Sequence, residues 1–127
     1  MKGRNIALYL RDITDSISAI EEYTKGITEG AFYSNRLVQD AVARRLEIIG
    51  EAAKNIGDDF RNKYSEIPWK KIAGMRDIIA HGYFGVKLER IWDVVKEDLP
   101  RMKKQVASIM EEEENINKPN NERRPSP

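Results

Sequence analysis

The sequence has no cysteine and only one histidine, His81, among its 127 residues. The absence of cysteine excludes disulfide bonds and thiolate-bound metals, so the composition does not indicate a redox compartment. Apolar runs stay well below the ~20 residues that a membrane-spanning helix needs. The first stretch, "MKGRNIALYLRD", has a basic start, but Arg11 and Asp12 interrupt its apolar part, unlike a signal peptide. We therefore expect a soluble, cytoplasmic protein.

The charge is nearly balanced at +1 but is distributed unevenly. Residues 111–127 carry a net charge of −2, and the first 110 residues carry +3. A mildly basic domain permits contact with nucleic acid without requiring it. The end of the chain has no apolar stripe and is rich in proline and asparagine. We expect one domain over residues 1–110 and a disordered acidic and polar tail over 111–127.

Apolar residues recur at alternating spacings of four and three, the stripe of amphipathic helices. This pattern predicts helices near residues 4–25, 35–56, 68–80 and 87–110, with a short helical turn at "DDFRNKY". No segment shows the alternation of a strand. The predicted fold is an all-α antiparallel bundle of four to five helices. In the last helix the stripe passes through Pro100 in phase, which favours one kinked helix or two nearly collinear ones.

Gly50 lies in the middle of the second predicted helix, where glycine costs about 1 kcal/mol relative to alanine. The small residues Ala52 and Ala53 follow it. Together they indicate that another helix passes close by, within the bundle or across a subunit interface.

The run Glu111–Glu114 looks like a row of metal ligands. Consecutive helical residues point in different directions, however, and cannot converge on one ion. We interpret the run as a solvated helix end and expect no metal site.

The stretch "MRDIIAHGYFG" contains three residues suited to handling phosphate, Arg76, His81 and Tyr83. Arginine binds phosphate bidentately, histidine transfers protons near its pKa of about 6.5, and a base can stack on tyrosine. RNA supplies its own nucleophile, the 2′-hydroxyl, so this set could cleave RNA without a metal. A structural interpretation is also open from spacing alone. His81 would then cap a helix, and Arg76 would pair with Asp77 or Glu51.

The spacing of Arg76, His81 and Tyr83 resembles the signature of HEPN domains in their HepT form. The segments "IGEAAK", "IPWKKIAGMRD", "HGYF" and "LERIWDVVKEDLP" extend the resemblance over about residues 6–109. It implies an all-helical, dimeric toxin that acts as a ribonuclease. It also implies that Arg76 and His81 are the catalytic pair, that Asp77 is an auxiliary residue, and that Tyr83 is the site of modification by AMP.

The resemblance further implies a partner, a minimal nucleotidyltransferase antitoxin of the MntA type. This partner would use ATP to attach AMP to Tyr83 and so block toxicity, while the chain itself would need no cofactor. One departure from the family is Lys87, which stands where aspartate is usual. Lys70, Lys71 and Lys87 are candidate RNA-binding residues because they are near the motif in sequence.

Two other functions remain open from the sequence. The chain could be a non-catalytic helical module that holds a substrate for a nucleotidyltransferase, or a general helical interaction domain. The ribonuclease interpretation also raises a difficulty, because cleavage benefits from both an acid and a base and the chain has one histidine. A two-fold homodimer would place two motifs across one cleft.

Overall fold

The computed structural model describes the backbone of residues 2–80 and 88–125, and the side chains of residues 6–77 and 88–125. These residues form no strand, and their α-helices are α1 (Lys2–Thr24), α2 (Glu29–Tyr33), α3 (Arg36–Lys54), α4 (Asp58–Lys63), α5 (Trp69–Ala73), α6 (Met75–Ala80), α7 (Leu88–Asp93) and α8 (Leu99–Ile116). The predicted all-α bundle is confirmed. No helix within the described ranges is both long and apolar enough to cross a membrane.

Helix α1 packs against α3 and α8. Its predicted apolar stripe is buried, with each of these side chains at most 2% exposed: Leu10, Ile13, Ile17 and Ile20. The hydroxyl of Thr24 donates a hydrogen bond to the carbonyl of Ile20 at 2.8 Å. The helix ends there, and Gly26 turns the chain with a φ of 73°, a conformation that favours glycine.

The predicted helix over residues 68–80 is interrupted at Gly74, which separates α5 from α6. After Pro68 at its start, Gly74 is the weakest helix former in this stretch, so a break inside it is least costly there. The interruption is slight, because the Gly74 N–H still donates to the carbonyl of Lys70 at 2.9 Å and its carbonyl accepts from the N–H of Asp77 at 3.0 Å. The sequence therefore predicted the extent of this segment but not its division.

The last segment runs from α7 through a π-helical turn, Val94–Asp98, into α8. The N–H of Leu99 donates to the carbonyl of Val94, five residues back, and Pro100 follows in the first turn of α8, where no N–H is needed. The predicted stripe is buried on both sides of the proline: Trp92, Val95, Leu99, Met102, Val106 and Ile109. A π-helical turn next to Pro100 thus accommodates what the sequence predicted as a kink or a junction.

Helix α8 extends to Ile116, six residues beyond the predicted end of the domain at residue 110. The first part of the expected tail is therefore helical, and the predicted end of the last helix at residue 110 is too early. The chain beyond α8 contains a 3₁₀ turn, Asn120–Glu122. The backbone N–H of Arg124 donates to Asn115 Oδ1 at 2.8 Å. Disorder of the remaining tail stays a prediction.

Helix α4, predicted as a short helical turn, is joined to α8 by a polar cluster. Lys63 Nζ lies 2.9 Å from Glu113 Oε2, and the hydroxyl of Tyr64 donates to the same oxygen. The indole N–H of Trp69 donates to the carbonyl of Tyr64 at 3.0 Å, which ties the start of α5 to this cluster. These contacts hold the segment that connects α3 and α5 against the C-terminal half of α8.

Candidate functional site

The backbone of Arg76 lies directly on Gly50, where α6 crosses α3. A methyl group on Gly50 would lie 2.4 Å from the backbone nitrogen of Arg76 and 2.6 Å from its Cβ. It would also lie 3.0 Å from the carbonyl oxygen of Ala73. Distances under 3 Å are steric overlaps, so only glycine fits here without a shift of the backbone. The close helix packing predicted from Gly50 is confirmed, and it occurs within the bundle, between α3 and α6.

The side chain of Arg76 forms an ion pair with Glu51 of α3, with Nε at 2.7 Å from Oε1. Both side chains remain partly in solvent, at 36% and 47% exposure. A pair this exposed contributes about 0–1 kcal/mol to stability, because water screens the charges. The pairing with Glu51 is the one that the structural interpretation of Arg76 predicted. It engages Nε, and the guanidinium carries four further N–H donors on its Nη1 and Nη2 atoms.

Of the other predicted site residues of the motif, the structure describes Asp77 but not His81 or Tyr83. Asp77 is exposed in the first turn of α6, beside Arg76. His81 and Tyr83 lie outside the described residues, as does Lys87. Helix α6 ends at Ala80. Arg76 therefore stands on the helix that leads directly into residues 81–87, which carry His81 and Tyr83 and are called the histidine segment below. The catalytic role of His81 and the modification of Tyr83 therefore stay predictions.

Lys70 and Lys71, the two described lysines of the predicted RNA-binding set, are both exposed on α5. Lys71 is already paired, since its Nζ lies 3.3 Å from Oδ1 of Asp98 in the π-helical turn. Any anion that binds Lys71 would have to compete with this ion pair. Lys70 has the same exposure without an ion pair among the contacts of the described residues, so it is the more accessible of the two.

A groove of about 520 Å³ lies beside the start of α7, the helix that follows the histidine segment. Its walls carry two cations, Lys71 and Arg90, together with three carboxylates, Glu89, Asp93 and Asp98. Arg90 is not among the site residues predicted from the sequence. Its position three residues after Lys87, at the start of the next helix, is the signal that could have done so. The mixed charge of this wall suits a polar ligand better than a purely anionic one.

The acidic run of α8 is distributed among separate partners. Glu111 Oε1 forms an ion pair with Arg124 Nη1 at 3.2 Å, whereas Glu113 binds Lys63 and Tyr64. Within residues 6–77 and 88–125, no three histidine, cysteine, aspartate or glutamate side chains converge into a group that could hold a metal ion.

Comparison with known proteins assigns the chain to a family. A family profile described as "Ribonuclease HepT-like" matches residues 13–109, a range that contains Glu51, Arg76 and the whole histidine segment. No solved structure gave a significant match.

Curated relatives agree with this assignment. The chain is 52% identical over 109 residues to the "Gamma-glutamylcyclotransferase and putative RNase MJ0434" of Methanocaldococcus jannaschii, covering 86% of this chain and 49% of that protein. The chain thus spans about half the length of that relative. It is 43% identical over 109 residues to "Putative RNase MJ1380" of the same organism, covering 86% of this chain and 100% of the relative.

A third relative carries the family name itself. The chain is 50% identical over 95 residues to the "Probable ribonuclease HepT" of Thermococcus cleftensis, covering 75% of this chain and 86% of that protein. These matches coincide with the helical domain that carries Arg76. The chain therefore belongs to the HepT-like ribonuclease family.

Proposed function

We propose that this protein is a metal-independent endoribonuclease toxin of the HEPN type, with Arg76 and His81 as its catalytic pair. The observation that carries the proposal is the placement of Arg76. Its guanidinium is anchored through Nε at 2.7 Å from Glu51, remains 36% exposed, and stands on the helix that leads to His81. An anchored and solvent-accessible guanidinium is the arrangement that binding a phosphodiester requires. The names of the relatives, which describe ribonucleases, support the same function.

The chemistry would use the nucleophile that RNA already contains. A base removes the proton of the 2′-hydroxyl, the 2′-oxygen attacks the adjacent phosphorus, and the bond to the 5′-oxygen of the next nucleotide breaks. An acid gives a proton to that leaving oxygen, which yields a 2′,3′-cyclic phosphate and a 5′-hydroxyl. His81 can transfer either proton, since its unperturbed pKa is about 6.5. Arg76 stabilises the additional negative charge on the pentacoordinate phosphorus. Asp77 is placed beside Arg76 to assist it.

The proposed regulation acts through Tyr83. A partner nucleotidyltransferase antitoxin of the MntA type would transfer AMP from ATP to the tyrosine oxygen, with release of pyrophosphate. The adduct adds bulk and negative charge where an RNA phosphate must bind, so it should block cleavage. Mass spectrometry of the protein co-expressed with a nucleotidyltransferase of the MntA type should find AMP on Tyr83. Unmodified Tyr83 in a neutralised complex would contradict this form of regulation.

One observation favours a second function, a non-catalytic module that partners a nucleotidyltransferase. An ion pair such as Arg76–Glu51 is also what an arginine with a purely structural role would form. In that case the loss of Arg76 would change the association with the partner but would leave RNA intact in every assay.

Cleavage assays with purified protein distinguish the two functions. We expect wild-type protein to cleave RNA in the presence of EDTA and to inhibit growth when expressed alone. His81→Ala should lower the cleavage rate by about 10²–10⁴, because it removes the proton-transfer group. Arg76→Ala should also abolish growth inhibition while the helical circular dichroism is retained.

Lys103→Ala is the matched control for Arg76→Ala. Lys103 Nζ pairs with Glu21 Oε1 at 2.7 Å and the two side chains are 39% and 43% exposed, much like the Arg76–Glu51 pair. We expect this variant to cleave RNA at the wild-type rate. Cleavage that appears only after magnesium is added would contradict the proposed mechanism, and a wild-type protein without cleavage would support the non-catalytic module.

A further inference from the structure

Glu51 is a charged residue that the proposed reaction does not use directly, yet it touches the residue on which that reaction depends. It belongs to the segment "IGEAAK" at the C-terminal end of α3, 25 residues before Arg76 in the sequence. Its neighbour Gly50 is buried against the backbone of Arg76. Two adjacent residues of α3 therefore determine where Arg76 lies, one through its backbone and the other through its side chain.

The contact with Glu51 restricts the guanidinium in a particular way. An arginine side chain has several rotatable bonds, and its guanidinium group samples many positions when it is exposed. An acceptor 2.7 Å from Nε fixes the inner edge of the group. Because the guanidinium is planar, fixing Nε also fixes the plane in which Nη1 and Nη2 lie. The backbone contact at Gly50 fixes the other end of the same side chain.

On this geometry we propose that Glu51 is a positioning residue for the ribonuclease reaction, which holds the Arg76 guanidinium in the orientation that receives the RNA phosphate. The inference rests on the proposed function. Glu51 does not contact RNA in this proposal and acts through Arg76. Gly50 and Glu51 then have a single shared role, which is to place Arg76. Gly50, which has no side chain, lets the backbone of Arg76 approach, and the carboxylate of Glu51 holds its guanidinium.

The two effects of Glu51 on the reaction have opposite signs. Its negative charge lies next to the cation that binds phosphate, so removing the charge should leave the KM for RNA unchanged or lower it. Its hydrogen bond orients the same cation, so removing the bond should lower kcat. A misplacement of about 1 Å in a catalytic group can reduce the rate about 100-fold. A fall in kcat without a rise in KM is therefore the expected signature.

The test compares Glu51→Gln and Glu51→Ala with matched changes at Glu21. The glutamine keeps an acceptor oxygen at the same reach but loses the charge, whereas alanine loses both. We expect kcat to fall about 10- to 100-fold in Glu51→Ala, and clearly less in Glu51→Gln, with KM not raised. Glu21→Gln and Glu21→Ala remove an ion pair of the same length and similar exposure, between α1 and α8, and should leave both constants unchanged.

A spectroscopic measurement tests the anchoring without relying on activity. In ¹⁵N-labelled protein, the Nε–H resonance of Arg76, assigned by its loss in Arg76→Lys, should be shifted and protected from exchange with water. Glu51→Ala should abolish the shift and the protection, and Glu51→Gln should keep part of both. Thermal unfolding of every variant establishes that the protein compared is folded.

The possible outcomes separate this proposal from the function on which it rests. A wild-type protein that does not cleave RNA overturns the proposed function, and the Nε–H signal still decides whether Glu51 holds Arg76. An active wild type whose folded Glu51→Ala variant keeps its kcat within twofold overturns the positioning role alone. Equal losses in the Gln and Ala variants would also overturn it, because they would attribute the effect to charge rather than to the hydrogen bond.

Discussion

Glu113 is the side chain through which acid should weaken this fold. Burial of its carboxyl opposes ionisation, but the hydrogen bonds from Lys63 and Tyr64 outweigh burial and hold the pKa of Glu113 below its ordinary value. A carboxyl with a lowered pKa in the folded state stabilises the protein above its ordinary pKa of about 4.5. That contribution is lost as the pH falls through the lower folded-state pKa. For Tyr64, burial and the neighbouring glutamates raise the pKa of the phenol, so it stays a neutral donor at any pH relevant here.

We therefore predict that Glu113→Gln destabilises the protein at pH 7 by about 1 kcal/mol, a typical value for a partly exposed hydrogen-bonded ion pair. The difference from wild type should shrink as the pH is lowered from 7 towards 3, because the unfolded wild-type carboxyl takes up a proton below its ordinary pKa of about 4.5 while the folded one, with its lowered pKa, resists, and glutamine has no such proton uptake. Urea unfolding at both pH values measures this. Glu114→Gln, a change at the exposed neighbouring position, should have little effect at either pH. An equal difference at pH 7 and pH 3 would contradict the assignment to ionised Glu113.

At the residue scale the sequence predicted partners but not geometry. It offered Glu51 as one of two partners for Arg76, and the ion pair with Glu51 is present. It could not predict which nitrogen is engaged, since that depends on the crossing of two helices 25 residues apart. Lys71 shows the same limit. Its place near the motif made it a candidate for RNA, but the fold brings it within 3.3 Å of Asp98, a residue distant in sequence.

At the scale of the helices, the contact between α3 and α6 is the tightest feature of the site. An alanine at Gly50 would improve helix propensity by about 1 kcal/mol, but overpacking a tight contact typically costs about 1–3 kcal/mol. The overlapping atoms are the backbone nitrogen and Cβ of Arg76 and the carbonyl oxygen of Ala73, and rotation of a side chain moves none of them. We predict that Gly50→Ala is net destabilising and lowers RNA cleavage further than the loss of folded protein explains, because α6 must move and Arg76 moves with it.

Gly30→Ala in α2 is the matched control, since a methyl group there meets nothing within 4 Å. It should be neutral or slightly stabilising. Thermal unfolding and cleavage rates of the two variants can be compared directly. If Gly50→Ala has wild-type stability and activity, then α6 does not depend on this contact.

A helix was easier to predict from the sequence where its apolar residues recur more regularly. The stripe of α1 identified its buried face because every third or fourth residue is aliphatic, and those side chains are buried. The apolar stripe of the last segment continues past Pro100 because a π-helical turn accommodates the change in backbone hydrogen bonding. Neither that turn nor the break at Gly74 produces a pattern of apolar residues. Both depend on backbone hydrogen bonds, which the side-chain sequence does not encode directly.

At the scale of the whole molecule, the proposed reaction needs more than one chain provides. Each chain has one histidine, yet the mechanism transfers one proton from the 2′-hydroxyl and another to the leaving oxygen. A two-fold dimer would resolve this by placing two Arg76–His81–Tyr83 motifs along one groove, where one histidine serves as the base and the other as the acid. Lys70 and Arg90 are exposed on the described elements that flank the motif segment, where they could line such a groove.

Mixed dimers test this arrangement. We predict that a dimer with one wild-type and one His81→Ala subunit, isolated through two different affinity tags, cleaves RNA far below half the wild-type rate. Independent sites would retain half the activity, because the intact subunit would work alone. The activity of a composite site should instead fall about tenfold or more, since the one His81→Ala substitution removes one of the two proton-transfer groups from the shared groove. Dimers of one wild-type and one Lys103→Ala subunit, prepared in the same way, should keep full activity. A monomer that cleaves RNA at the full rate in size-exclusion fractions would rule out the composite site and would leave the nuclease assignment intact.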